Sequence, residues 1–191
     1  MNSLKKENLK RLMSPKNIAF FGGHDVEIAI KEAQRRGFTG PIWPINPNRK
    51  SILGIKCFKS VHELPVSPDA SFIAVPSKFV SSIIKDLAKN EAGGVVCYSA
   101  GFGETGTEGK ALELELTSIA ESMPIIGPNC YGFINYLDKV ALWPFAHGGI
   151  CPGYGAAIIT QSGMLSSDIT MTDRSIPLTH MISVGNQASV C

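Results

Sequence analysis

The chain has 191 residues, enough for roughly one to two domains. Apolar residues make up 44% and charged residues 18%, a balance that supports a packed core and excludes a disordered chain. A formal net charge of +2 leaves no global field to hold nucleic acid or an anionic bilayer, and no apolar run approaches the roughly 18 residues of a membrane span.

The first 14 residues are basic and polar with no apolar segment behind them, so they are expected as a solvated helical extension around Leu4, Leu9 and Leu12, not a secretory signal. Residues 17–21 form a β-rich run that ends in Gly22-Gly23, a buried strand entering a tight turn. Helical spacing follows over 25–36, with Val26, Ile28, Ala29, Ile30 and Ala33 apolar and Gly37 as the stop. A second strand at 42–45 contains Pro44, which lacks an N–H and therefore belongs at a sheet edge. Strands at 71–75, 95–98 and 125–126 alternate with helices at 77–91 and 108–122, whose apolar faces carry Phe79, Ile83, Ile84 and Leu87, then Leu112, Leu116 and Ile119. Continuous apolar strands separated by amphipathic helices predict a Rossmann-like, doubly wound α/β fold over 15–142, its parallel sheet covered on both faces.

Residues 143–154 have linker composition: Pro144, His147-Gly148-Gly149, Pro152 and Gly153. A strand at 156–160, a helix at 164–174 and a strand at 179–184 then read as the first βαβ unit of a second, flavodoxin-like domain over 155–191. One such unit does not complete a sheet. Its missing strands come from another chain or, as favoured here, from a longer protein of which this is the front portion. An open sheet edge predicts self-association, so a homo- or hetero-oligomer is expected.

In doubly wound sheets, ligands bind beyond the carboxyl ends of the strands. Those ends carry Gly22-Gly23, Asn46-Pro47-Asn48-Arg49-Lys50, Val75-Pro76-Ser77, Ser99-Ala100-Gly101-Phe102-Gly103 and Asn129. Glycine turns before a helix admit phosphate, but the G-x-G-x-x-G fingerprint is absent. Where a site for NAD places an acid at the end of the second strand, this chain has Asn46 and then Arg49 and Lys50. A cation there suits a phosphorylated adenosine, either the 2′-phosphate of NADP or the 3′-phosphate of coenzyme A. Lys50 is expected to be a solvated loop charge. The loop at 99–103 is small enough for close backbone approach, with Phe102 available to cover a ligand.

The five cysteines are widely spaced with no C-x-x-C, which supports neither a disulfide framework nor a zinc site, and Cys97 reads as a core thiol. No metal site is expected.

In order along the chain, several short motifs together resemble the coenzyme A-binding domain of NDP-forming acyl-CoA synthetases. That superfamily includes ADP-forming acetate–CoA ligases and the α subunit of succinyl-CoA synthetase. The motifs are Ser14-Pro15-Lys16-Asn17-Ile18-Ala19, Ile45-Asn46-Pro47-Asn48, Leu53-Gly54-Ile55, Ala74-Val75-Pro76-Ser77 and Ser99-Ala100-Gly101-Phe102. Gly127-Pro128-Asn129-Cys130-Tyr131-Gly132, Thr160-Gln161-Ser162-Gly163 and Ser183-Val184-Gly185-Asn186 complete the series. The resemblance implies coenzyme A contacts at Gly22, Gly23, Asn46, Arg49, Val75, Pro76, Ser77, Ser99, Ala100, Gly101, Phe102 and Asn129. It further implies a helix opened by Gln161, Ser162 and Gly163 whose N-terminus holds a phosphoryl group in transit. The implied reaction joins a small carboxylic acid to coenzyme A through an acyl phosphate and a phosphohistidine, coupled to ATP and ADP with Mg.

The phosphohistidine segment and the ATP-grasp domain of the superfamily lie outside this chain, in cis or on another subunit, so no catalytic residue is assigned. His147 and His180 match no phosphohistidine motif and are expected as a loop histidine and a packed one. Two departures from the superfamily pattern stand out: the acidic turn with Asp25 and Glu27, and Ser167-Asp168 where succinyl-CoA synthetase has a Tyr-Glu pair. The second argues against succinate as the acid. A cytoplasmic location is expected, and two other functions remain open from sequence: a non-catalytic regulatory module that senses coenzyme A or a nucleotide and is fused to or partners another enzyme, and an NADP-dependent oxidoreductase.

Overall fold

The computed structural model describes residues 3–172 and 176–188. The end of the helix expected over 164–174, and Cys191, lie outside the described residues. The chain opens with α1 (Ser3–Met13), then β1 (Ile18–Gly22), α2 (His24–Arg36) and β2 (Ile42–Ile45). A short hairpin, β3 (Ser51–Ile52) and β4 (Ile55–Lys56), precedes β5 (Ala70–Ala74), α3 (Val80–Lys89), β6 (Val95–Cys97), α4 (Thr107–Ala120) and β7 (Ile125–Ile126). The five main strands pair in the order β2-β1-β5-β6-β7, every pairing parallel, which is the doubly wound sheet expected. Pro44 sits on the edge strand, where its missing N–H costs no ladder bond. Gly37 caps α2 in the left-handed region at φ 104°, receiving the chain reversal that an L side chain resists.

One face of the sheet packs Phe20, Phe72, Val96 and Ile126 against Val26, Ala29, Ile30 and Ala33 of α2. The opposite face packs Phe21, Ile73, Val95 and Cys97 against Val80, Ile84 and Leu87 of α3 and Leu116 of α4. Strands buried on both sides explain why they read as unbroken apolar runs. The helix α1 departs from the solvated extension expected. Its Leu12 is fully buried, Arg11 Nε donates to Asp69 Oδ1 at 2.8 Å, and Asn8 Nδ2 donates to the Ser122 carbonyl at 3.3 Å. Leu9, Leu12 and Met13 share one helical face, and that face covers the first core.

The remaining strands are β8 (Gly132–Asn135), β9 (Val140–Leu142), β10 (Ala156–Thr160) and β11 (Leu178–Ser183), with α5 (Gly163–Met171) linking the last two. They form one mixed sheet, β10-β11-β8-β9, in which β10 and β11 are parallel and the other pairings antiparallel. The expected division at residue 142 therefore runs through this sheet, because the hairpin β8–β9 serves both cores. Phe133, Val140 and Leu142 face the first core, whereas Ile134, Ala141 and Trp143 face the second with Met181. Period-two alternation makes this possible: successive side chains leave opposite faces of a strand.

The segment after β9 is anchored on α2. His147 is buried, its Nδ1 3.0 Å from Glu32 Oε2, and Arg35 Nη2 donates to both Glu32 Oε2 and the His147 carbonyl at 2.5 Å. Burial and then Arg35 lower its pKa from 6.5 to about 4, with Glu32 only partly opposing them. His147, expected as a loop histidine, is thus the packed one, while His180 stands half-buried in the body of β11.

Candidate functional site

Strand order reverses between β1 and β5, and beyond their carboxyl ends lie two adjoining cavities that share Ala74, Val75 and Pro76. The first, of about 460 Å³, is walled by Ile45, Val61, Val75, Pro76, Phe79 and Ile83 and rimmed by Gly22, Gly23, Asn46, Asn48, Lys59, Ser60, Ser82 and Asp86. The second, of about 490 Å³, is bounded by Asp25, Tyr98, Ser99, Ala100, Asn129 and Tyr131. One apolar slot thus opens into a more polar one.

Gly22 permits the closeness of β1 and β5. It has φ +144°, and a Cβ there would stand 2.3 Å from the Ala74 carbonyl oxygen. Gly23, which lines the first cavity, opens α2 without a side-chain cap. Asn46 acts as a staple: its Nδ2 donates 2.8 Å to the Gly22 carbonyl and its Oδ1 accepts from the Asn48 amide at 2.9 Å. Ser99 does the same for the neighbouring strand, accepting from the Val75 amide at 3.1 Å and donating to the Val75 carbonyl at 2.6 Å. Of the residues expected at the site, Gly22, Gly23, Asn46, Val75, Pro76, Ser99, Ala100 and Asn129 line the two cavities.

Arg49, Ser77, Gly101 and Phe102 line neither cavity. The Arg49 guanidinium lies over Gly23 but is ion-paired with Glu27, an acid on the first turn of α2. Phe102, expected as a cover for ligand, is fully buried among Ile84, Leu116 and Ile125, since a large aromatic ring gains more from the core than from water. The amides of the loop at 99–103, expected to allow close backbone approach, are also taken. Glu104 Oε1 accepts from Gly101 N at 2.6 Å and Phe102 N at 3.2 Å, and Glu113 Oε2 accepts from Gly103 N at 3.1 Å.

Both of those carboxylates also meet the turn that follows β11, an arrangement the sequence did not reveal. Asn186 Nδ2 donates to Glu104 Oε2 at 2.5 Å and to Glu113 Oε2 at 2.8 Å, while its backbone amide donates to the Pro128 carbonyl at 2.9 Å. Partial burial would raise the Glu104 pKa, but the hydrogen bonds from Asn186 and Gly101 outweigh it and hold the carboxyl below its ordinary value.

The helix α5 begins beside the second cavity. Ser162 caps it, its Oγ accepting from the Leu165 amide at 3.3 Å, and a Cβ at Gly163 would come within 2.6 Å of the Tyr131 ring. Gln161 points elsewhere, into a groove with Leu9, Met13 and Ile159. Tyr131 belongs to an aromatic group with Tyr98, Trp143 and Phe145, and burial raises the pKa of Tyr98. Among the described residues no cysteine lines either cavity, and burial pushes Cys97 up to about 12 and Cys130 well above its ordinary value. Among the described residues, no cluster of three or more His, Cys, Asp or Glu is gathered for a metal, and no helix is long and apolar enough to cross a membrane.

Residues 16–136 match the family model of the CoA binding domain. The chain is 35% identical over 195 residues to a trans-feruloyl-CoA synthase from an unknown prokaryotic organism, covering 96% of this chain and 28% of that protein. It is 36% identical over 197 residues to the α subunit of the ADP-forming acetate–CoA ligase II of Pyrococcus furiosus, covering 95% and 41% respectively. Among solved structures, the apo form of the dinucleotide forming acetyl-coenzyme A synthetase 1 of Ca. Korarchaeum cryptofilum superposes with a TM-score of 0.84 at 29% identity, over 95% of this chain and 41% of that one. The chain thus spans well under half the length of these relatives. By its strand order, its crevice at the switch point and the match over 16–136, this chain belongs to the CoA-binding domain family.

Proposed function

We propose that the chain is the coenzyme A-binding portion of an ADP-forming acyl-CoA synthetase. The observation that carries this reading is the pair of joined cavities at the β1–β5 switch point, the first apolar and the second opening toward α5. The residues present fit coenzyme A. The slot between Ile45, Val61, Val75 and Pro76 suits an adenine ring, and the uncapped α2 amides beside Gly23 suit the pyrophosphate. Asn46 and Ser99 hold the walls in place, each hydrogen-bonding backbone of an adjacent strand end. The second cavity, with Asn129 and Tyr131, leads the pantetheine arm toward α5. When bound, coenzyme A supplies the thiol that takes the acyl group.

In the complete protein, a small carboxylic acid is activated as an acyl phosphate, and the amides and dipole at the start of α5 steady the phosphoryl group. ATP, ADP, Mg and the phosphohistidine belong to segments outside this chain, in cis or on another subunit. Such a protein works in the cytoplasm as an oligomer. Calorimetric titration of the chain tests the binding step: coenzyme A binds, and NAD and NADP do not. Absence of heat with coenzyme A, or tighter binding of NADP, refutes the reading.

A further inference from the structure

Lys59 is the one cationic residue lining either cavity among the described residues. It arrives there through a contact far apart in sequence: Phe58 forms a parallel bridge with Ile45 at the end of β2. The Asn46 amide donates to the Phe58 carbonyl at 2.9 Å and the Phe58 amide donates to the Pro44 carbonyl at 2.9 Å, so Lys59 runs alongside Asn46. Its own amide is held by Glu63 Oε2 at 3.0 Å, which fixes the backbone from which the side chain leaves.

Charge distribution separates Lys59 from the other candidate cation. Arg49 is neutralised by Glu27 and lies outside both cavities, so an anion that used it would first displace a carboxylate. The Lys59 ammonium has no ion-pair partner among the described residues. Two acids lie near it. Glu63 is engaged by the Lys59 amide, and Asp86, on another wall of the cavity, lies 3.8 Å from His62 Nε2.

We infer that Lys59, and not Arg49, takes the 3′-phosphate of coenzyme A and sets the preference for the phosphorylated ribose. This assignment rests on the coenzyme A reading above. An ammonium on a four-carbon stem is a compact charge that reaches a phosphate monoester from the rim without the planar match a guanidinium needs. The cavity thus meets its most highly charged group at the open, solvated end, where desolvation is least.

Calorimetry with coenzyme A and dephospho-coenzyme A on the wild-type chain, Lys59→Met and Arg49→Gln tests it, with thermal melts confirming that each variant folds. The wild type is expected to prefer coenzyme A by about tenfold or more, as one charge-assisted contact gives. In Lys59→Met that preference falls to within about twofold while dephospho-coenzyme A binds as before, and in Arg49→Gln it survives. Equal wild-type affinities for the two ligands, or a preference that survives Lys59→Met, overturns the assignment while leaving coenzyme A binding intact. Failure of the wild type to bind either ligand overturns the underlying reading instead.

Discussion

Gly163 lies against the ring of Tyr131, so closely that a Cβ at residue 163 would stand 2.6 Å from Tyr131 Cδ1. This contact joins the first turn of α5 to a wall of the second cavity, which Tyr131 lines. Any side chain at 163 must push the helix or the ring aside. Gly163→Val is therefore expected to cost about 1–3 kcal/mol by overpacking and to weaken coenzyme A binding, read by urea unfolding and calorimetry. Unchanged stability and affinity would show that the helix start is not seated on Tyr131.

Asn46 holds the mouth of the first cavity by hydrogen bonds to Gly22 and Asn48. Removing them with Asn46→Ala should cost about 1–2 kcal/mol and lower coenzyme A affinity by about tenfold. Asn46→Asp keeps the acceptor for the Asn48 amide but loses the donor to Gly22, and it adds charge beside the ligand. Its affinity is expected to fall further still, and an affinity for Asn46→Asp above that of Asn46→Ala would argue against a phosphate close by.

Acid should weaken the fold through His147. Its pKa is lowered from 6.5 to about 4 in the folded state, so the unfolded chain binds the proton more readily between those values. The contribution is complete above pH 6.5 and is lost as the pH falls toward 4. The loss is on the order of 3 kcal/mol. Urea midpoints at stepped pH should show a shallower decline in His147→Gln than in the wild type. Parallel declines would mean that His147 is protonated without penalty.

Glu104 carries the opposite chemistry and the same sign. Its folded pKa is depressed, so its contribution is present above the ordinary carboxylate pKa and disappears as the pH falls through the lowered value. Asn186→Ala removes the donor shared by Glu104 and Glu113. A cost of about 1 kcal/mol is expected near neutral pH, shrinking in acid. An equal cost at both pH values would assign the effect to packing around residue 186.

Local signals carried much of this architecture. The apolar runs, the amphipathic spacing of α2 and α3, Gly37 as a stop and Pro44 on an edge all act within a few residues, and the parallel sheet follows from them. What stayed hidden depends on pairs distant in sequence. The Glu27–Arg49 pair spans 22 residues, and the approach of Lys59 requires Phe58 to find Ile45. The burial of Phe102 was equally invisible, because a small-residue loop reads the same whether its aromatic turns inward or outward. The hairpin β8–β9 did leave a trace. Phe133, Ile134 and Val140 to Leu142 flank a turn that carries Asp138 and Lys139, but their division between two cores is a property of the assembled fold.

Crystals of the chain soaked with coenzyme A test the central claim most directly. The account expects adenine density in the slot bounded by Ile45, Val61 and Pro76, and the pantetheine arm passing Asn129 toward Gly163. Adenine bound elsewhere on the molecule, or a ligand that leaves the β1–β5 crevice vacant at saturating concentration, would contradict it.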